Sequence, residues 1–389
     1  MHRGWGSLYG RAGGIALLIV SQALPGCNAG GGAPAPSNSS NSLPLEDGNQ
    51  DLTITSPSGK TRGEPNDTFP QAMLAVFDNG VARLQGNIES AADLDVFVLG
   101  ALNPGDRLIV DVSTPDRQLD ASIAIFDDTE AIVFDNDDRS DTSLDSFADT
   151  IIRHASDPYY VVIGHSAFAA SDARSGSYRM TLTVTSGSPV PPPEPQTVVL
   201  DFDGGPTPTD NLLTNFVNPF DAGRISSQYA GRTDDLKSLI TARVRDNFAA
   251  FEVTVLTSDD PEPPRPYSAI LIGSFNPQAF GIAQEVDHYN MDRCDDGVVF
   301  AESFKPALFS TPLTVEQLGR AIGNVTSHEI GHLLGLNHVT DPTAIMDGAS
   351  PADTFILDQR FKRGPLSRDI LRIGFQDDPL LLDEGVGPR

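Results

Sequence analysis

The chain is expected to be multidomain, an all-β sandwich followed by an α+β domain. Three observations carry this. Between 61 and 186, short runs alternate apolar and polar residues between Asp-, Asn- and Gly-rich turns, the period-two pattern of strands buried on one face. From 197 onward, strand-like runs alternate with runs of helical period, the order of an α+β layer structure. Between them, Ser188-Pro189-Val190-Pro191-Pro192-Pro193-Glu194-Pro195 reads as an extended, semi-rigid spacer that holds the two domains apart.

The boundaries follow from these changes of character: 1–27 an export signal, 28–60 a tether, 61–186 the sandwich, 187–196 the linker and 197–389 the second domain. In the signal, Arg3 and Arg11 precede the apolar run Ile15 to Val20, which is too short to span a bilayer as a mature helix. Leu24-Pro25-Gly26-Cys27 resembles a bacterial lipobox, which makes Cys27 the lipidated residue of a cell-envelope lipoprotein; an ordinary cleaved secretory signal is the alternative. The following segment lacks the apolar residues to form a core and suits a flexible tether. The clearest sandwich strands are Arg107–Val112, Ser122–Phe126, Tyr159–Ile163 and Tyr178–Val184.

In the second domain, Thr197–Phe202 is the first strand, and Asp234 caps a helix with Leu236, Leu239, Ile240, Val244 and Phe248 on its apolar face. Strands follow at 251–256, 269–272 and 297–301. Pro312-Leu313-Thr314 opens a long helix whose buried stripe is Val315, Leu318, Ile322 and Val325. A last helix is placed at 367–374, with a frayed Asp-rich end beyond it.

Charge narrows the function. The chain of 389 residues has 53 acidic against 26 basic side chains, a formal net charge of −27. That excludes a basic surface for nucleic-acid phosphates and suits a protein outside the cell, one that binds calcium, or both. The chain is expected to be a monomer, touching membrane only through a lipid anchor. With Cys27 lipidated, Cys294 is a single thiol, either capping a metal or simply a small buried residue.

The chemistry lies in His328-Glu329-Ile330-Gly331-His332-Leu333-Leu334-Gly335-Leu336-Asn337-His338. On a helix, His328 and His332 stand on one face, four residues apart. Glu329 sits beside the first of them, within reach of a metal-held water without being a ligand. Gly335 suits the left-handed turn that ends a helix and brings His338 back as a third ligand. Three protein ligands with an open position describe a catalytic zinc, whereas a structural zinc is closed. Neutral imidazoles leave the ion positive enough to activate water at neutral pH, with Glu329 as the base.

This pattern resembles the metzincin signature of zinc endopeptidases. Met346, eight residues after His338, matches the methionine that lies beneath the zinc in that group. The spacing, with Asp341 and Ala344, is most similar to the matrixin branch. The resemblance implies a metzincin-type protease fold, Zn2+ held by His328, His332 and His338, Glu329 as general base, Met346 as an apolar floor, and protein or peptide substrates. Asp347 and Gly348 follow Met346, so neither a tyrosine ligand nor the matrixin Pro-x-Tyr wall is present. His288 is the only upstream histidine in the domain, too little for the second, structural zinc of matrixins. His154 and His165 are read as surface or strand residues of the sandwich. Substrates of this fold class lie along a sheet edge, and Gly297–Ala301 is the candidate edge. The competing readings are an inactive cell-surface binding or adhesion protein with a protease-like domain, and a zinc hydrolase of another substrate class.

Glu64-Pro65-Asn66-Asp67-Thr68, Asp93-Leu94-Asp95-Val96-Phe97, Pro104-Gly105-Asp106, Asn136-Asp137-Asp138 and Gly176-Ser177-Tyr178 resemble a pre-peptidase C-terminal (PPC) domain, here placed before the protease. That resemblance implies a jelly-roll-like accessory sandwich, some members of which bind Ca2+. Calcium takes six to eight oxygens, and Glu64, Asn66, Asp93 and Asp95 are the candidate ligands; exposed turn acids are the alternative. A second cluster, Asp287, Asp292, Asp295 and Asp296, is open to the same two readings.

Overall fold

The computed structural model describes residues 64–115, 118–140, 142–207 and 213–389, together with the backbone of a strand at Ala16–Ile19. The rest of 1–27, expected to be an export signal, together with Cys27 and the 28–60 segment expected to be a tether, apart from Ala16–Ile19, lies outside the described residues. Among the described residues, no helix is long and apolar enough to cross a membrane.

The first domain is two sheets face to face. One orders Val81–Ile88, Gly176–Thr185, Arg107–Ser113 and Phe147–Ile151, all antiparallel. The other orders Met73–Leu74, Asp95–Leu102, Ser156–His165, Ala121–Phe126 and Ile132–Asn136. Alternation decides the inward face. In Arg107–Ser113, Leu108, Val110 and Val112 are buried while Asp111 is exposed, and they meet Ile123, Val161 and Leu182 in one core. Ala121–Phe126 departs from alternation and is buried throughout. Its second face carries Ala124 and Phe126, which pack against Leu366 and Leu371 of the second domain.

The second domain is a six-stranded sheet in the order Ala16–Ile19, Ala279–Ala283, Gly297–Phe300, Ser268–Gly273, Gln196–Asp201 and Val253–Thr257. Ala279–Ala283 runs antiparallel to its inner neighbour, and the remaining pairs are parallel. Two helices cover the sheet, Thr233–Asn247 and Val315–Leu333. Their buried stripes, Leu236, Ile240 and Val244 against Leu318, Ile322 and Val325, share one core with Val198, Leu200 and Ile270.

Four expectations change. Gly297–Phe300 is not a sheet edge but lies between two strands; its near-continuous apolar run suits burial on both faces. The outer strand of the domain's own sheet is Ala279–Ala283, on which Ala16–Ile19 pairs in parallel. The cap of Thr233–Asn247 is Arg232, and Asp234 sits in the first turn, where it still favours the helix dipole. Residues 368–370 form only a turn, and the last helix is Asp378–Gly385, capped by Asp377 with Leu381 and Leu382 buried.

The linker does not hold the domains apart. Its Glu194 N–H donates to Gly385 O at 2.9 Å, and Arg153 donates to Pro191 O and Glu384 O at 3.2 and 2.7 Å. His154 is likewise a bridge rather than a surface residue, with Nδ1 2.8 Å from Glu384 and Nε2 3.4 Å from Asp127. Contacts with Asp127 and Glu384 raise its pKa to about 9. Because the folded value lies above the unfolded 6.5, this bridge stabilises fully below pH 6.5 and is lost as pH rises through about 9. With the ring partly exposed the contribution is about 1–2 kcal/mol. The melting temperature of the full chain is therefore expected to exceed that of His154→Asn near pH 6, with the gap closing by pH 10.

Candidate metal centre

The helix Val315–Leu333 begins with a capping box: Thr314 Oγ1 accepts from Gln317 N–H at 3.2 Å, and Gln317 Oε1 accepts from Thr314 N–H at 3.0 Å. It ends where Gly335 takes φ +92°, with Leu336 N–H donating to Gly331 O and Gly335 N–H to His332 O, both at 2.9 Å. These are the two bonds of a Schellman turn. The left-handed residue reverses the chain and delivers His338 to the face that carries His328 and His332.

The structure brings the three predicted histidines together. Their ligand atoms lie within 4.8 Å of one another, all buried. His328 Nε2 is 3.0 Å from His332 Nε2 and 3.2 Å from His338 Nε2, near the ~3.3 Å edge of a tetrahedron with ~2.0–2.1 Å Zn–N bonds. Each Nδ1 is committed elsewhere. His328 Nδ1 bonds Ile345 O at 2.8 Å, His332 Nδ1 bonds Leu336 O at 2.6 Å, and His338 Nδ1 bonds Asp369 Oδ2 at 3.1 Å. An Nδ1–H donor fixes the tautomer and leaves the Nε2 lone pair facing the shared point.

Electrostatics agree. Burial, with His338 beside it, holds the His328 pKa down at about 3, and burial with both neighbouring rings holds His332 well below its usual value. Both rings are thus neutral, as a ligand must be. Asp369 is raised by burial but taken down to about 2 by His338, so it stays an anion at the ring it orients. Glu329 is fully buried, and among the described residues neither of its carboxyl oxygens has a partner at normal hydrogen-bond geometry. Burial pushes its pKa well above 4.5. A buried carboxyl without partners is costly, and a water or substrate donor beside the metal site would satisfy it.

Met346 is fully buried beneath this helix; a β-carbon at Gly331 would meet its sulfur. Gly348 faces the His338 ring, 2.7 Å from Cγ to a β-carbon placed there.

Sequence reasoning missed Asp369, Asn337 and Gly281. Asp369 is thirty-one residues from its histidine, and no local spacing pointed to it. Asn337, between two motif positions, donates to Asp135 of the sandwich at 2.7 Å. Gly281 lies on the strand facing Glu329, where a β-carbon would overlap the carboxyl and come within 2.7 Å of Cδ. Gly281→Ala is expected to retain zinc but lose about 100-fold in kcat/KM, since a carboxyl displaced by about 1 Å misses its proton. Metal analysis alongside peptide hydrolysis checks this.

Of the other expectations, His288 joins no metal group among the described residues. It stacks on Phe134 at 4.6 Å and bonds Asp135. Cys294 is disulfide-bonded, so it has no thiol to cap a metal. The candidate calcium residues do converge. Asn66 and Asp95 are fully buried, and among the described residues Asn66 Oδ1, Asn66 Nδ2, Asp95 Oδ1 and Glu64 Oε1 have no partner at normal hydrogen-bond geometry. Burial and mutual repulsion raise Glu64 to about 7, and burial raises Asp93 and Asp95 to about 6. Asp95 Oδ2 accepts from the Tyr178 hydroxyl. This donor set fits an oxygen-seeking cation.

Residues 250–359 match the family model described as Matrixin. That span contains the helix, the three histidines, Glu329 and Met346, and leaves the sandwich unassigned. No curated protein matches the chain. Among solved structures, a zinc-dependent peptidase from Methanocorpusculum labreanum shares 13% identity over 42% of this chain and 93% of its own, with a TM-score of 0.26. The pre-peptidase C-terminal domain of a Bacillus anthracis collagenase shares 11% over 27% and 88%, TM-score 0.21. PliG from Aeromonas hydrophila, a periplasmic lysozyme inhibitor, shares 14% over 29% and 96%, TM-score 0.23. At such TM-scores these likenesses carry no weight, and the site is read from its own geometry.

Proposed function

We propose that this chain is an exported zinc endopeptidase that hydrolyses peptide bonds without a covalent intermediate. The observation that carries the reading is the convergence of three imidazole Nε2 atoms beside the buried carboxyl of Glu329. Bound zinc supplies Lewis-acid chemistry, polarising the scissile carbonyl and making water acidic. His328, His332 and His338 hold that ion with their rings locked from behind. Glu329 takes the proton of the attacking water and passes it to the leaving amine, general acid–base work that contributes about 10^2–10^4-fold. The substrate backbone would take the outer edge of Ala279–Ala283, next to Glu329, in place of Ala16–Ile19, which pairs there in this structure. The N-terminal segment 1–27 supports export, with lipid anchoring at Cys27 as one outcome of it.

The test is hydrolysis of casein and of a peptide mixture by the full chain. Activity is expected to vanish with a zinc chelator and return with zinc. Hydrolysis of esters alone, or zinc binding without hydrolysis, would replace this reading.

In the sandwich we propose Ca2+ at Glu64, Asn66, Asp93 and Asp95, supported by the orphaned buried oxygens of Glu64, Asn66 and Asp95. Calcium is expected to raise the melting temperature of the full chain, and Asp95→Asn to abolish most of that rise, read by calorimetry with and without the ion.

A further inference from the structure

We infer that Gln376 is a positioning residue for the metal centre, and that it acts together with Asp135 of the sandwich to hold the segment that carries His338. The inference rests on the metal centre of the peptidase reading above, and on no step of the reaction.

The three histidines are not held alike. His328 and His332 stand on Val315–Leu333, where the hydrogen-bond ladder of the helix fixes their backbone. His338 has no such support. After the turn at Gly335, residues 336–338 have no regular secondary structure. A ligand on irregular backbone is placed by the groups that bond its neighbours.

Those groups come from remote segments. Gln376 is fully buried, and its amide spans both sides of one residue. Oε1 accepts from the Asn337 N–H at 2.7 Å, and Nε2 donates to the Asn337 carbonyl oxygen at 2.7 Å. The reverse orientation of the amide would face oxygen to oxygen and N–H to N–H, so only one arrangement closes both bonds. Nε2 also donates to Asp378 Oδ1 at 2.9 Å, which anchors the amide from behind. The Asn337 side chain is held by the sandwich, with Nδ2 donating to Asp135 Oδ1 at 2.7 Å. His338 comes next in the chain, and its carbonyl oxygen accepts from the Ser367 N–H at 3.0 Å.

Gln376 is itself tied to the sandwich. Its strand, Phe375–Asp377, pairs antiparallel with Arg363–Pro365. The Phe375 N–H donates to Glu130 O at 2.9 Å, beside a bridge between Ala131 and Phe375. On the other side, the Thr340 N–H donates to Pro365 O at 2.8 Å, and Val339 bridges Leu366. Backbone pairing therefore runs without a break from the sandwich, through the Gln376 strand, to the residues just after His338. A domain that supplies no ligand thus fixes where the third ligand stands. Without the amide, the Asn337 N–H and carbonyl are left unpaired in a buried place, which is costly enough to shift the backbone. His328 and His332 would keep their places, and the ion would lose its third anchor.

The experiment measures zinc affinity by competition with a chelating dye, and the visible spectrum of the cobalt(II)-substituted protein, for the full chain and for Gln376→Met, Asp135→Ala and Asp135→Asn. Gln376→Met is expected to weaken zinc binding by about 10–100-fold and to alter the cobalt spectrum, which reports ligand geometry. Asp135→Ala, at a partly exposed position, is expected to weaken zinc binding by about 10-fold. Asp135→Asn keeps an acceptor for Asn337 and is expected to return the affinity to the parental value. A lower melting temperature with parental affinity and spectrum would make the contacts merely structural and overturn the inference. If Gln376→Met does not fold, the Asp135 pair decides: loss in the alanine variant with recovery in the asparagine variant supports the inference, and equal affinities overturn it. A parental chain that binds zinc but cuts no peptide removes the peptidase reading alone, and the affinities still decide. A parental chain that binds no zinc removes the metal centre and the inference with it.

Discussion

His332→Ala is expected to leave the chain without stoichiometric zinc and to cut peptide hydrolysis by roughly 10^3-fold or more, since the Lewis acid supplies several kcal/mol of transition-state stabilisation. His332 is the middle ligand, 3.0 Å from His328, and its Nδ1 is tied to Leu336 O within the turn that delivers His338. Its removal takes away one ligand and loosens the turn that places another. Zinc also favours the folded state by binding it alone, so the parental melting temperature is expected to fall on chelation while that of the variant does not move. Metal analysis by mass spectrometry and calorimetry with and without chelator measure both effects. A variant that keeps stoichiometric zinc would remove His332 from the ligand set.

Glu329→Gln is expected to show the opposite combination: zinc retained at the parental level and kcat reduced about 10^2–10^4-fold. The amide is the same size as the carboxyl, so the space beside Gly281 is filled as before, and only the proton acceptor is lost. KM is expected to change little, because the carboxyl acts on the water rather than on the peptide. Parental kcat in this variant would assign the base elsewhere.

Together with Gly281→Ala, these variants separate three requirements. One is holding the ion, one is accepting the proton, and one is leaving room for the acceptor. The first two reside in the motif, and the third in a strand that the motif does not name.

The three-histidine group and the carboxyl beside it were legible in the sequence because helix geometry is local. Residues four apart share a face whatever surrounds them, and a glycine after the last turn signals a reversal. Strand positions in the sandwich were legible for a related reason, since alternation in Arg107–Ser113 reports a single buried face. The sheet edge was not legible. Gly297–Phe300 and Ala279–Ala283 are both wholly buried apolar runs, and composition does not say which is interior. Helix Asp378–Gly385 was hidden by its acids; only in three dimensions do Leu381 and Leu382 find the core.

What the sequence alone determined is the chemistry: three imidazoles and a carboxylate placed on one helix and its following turn by the regular period of the backbone. What only the tertiary structure decided is the surroundings of that chemistry. Asp369 behind His338, Gly281 before Glu329 and Asp135 against Asn337 are partners remote in sequence. Each exists because two surfaces fold together, and long-range packing leaves no periodic trace in the chain.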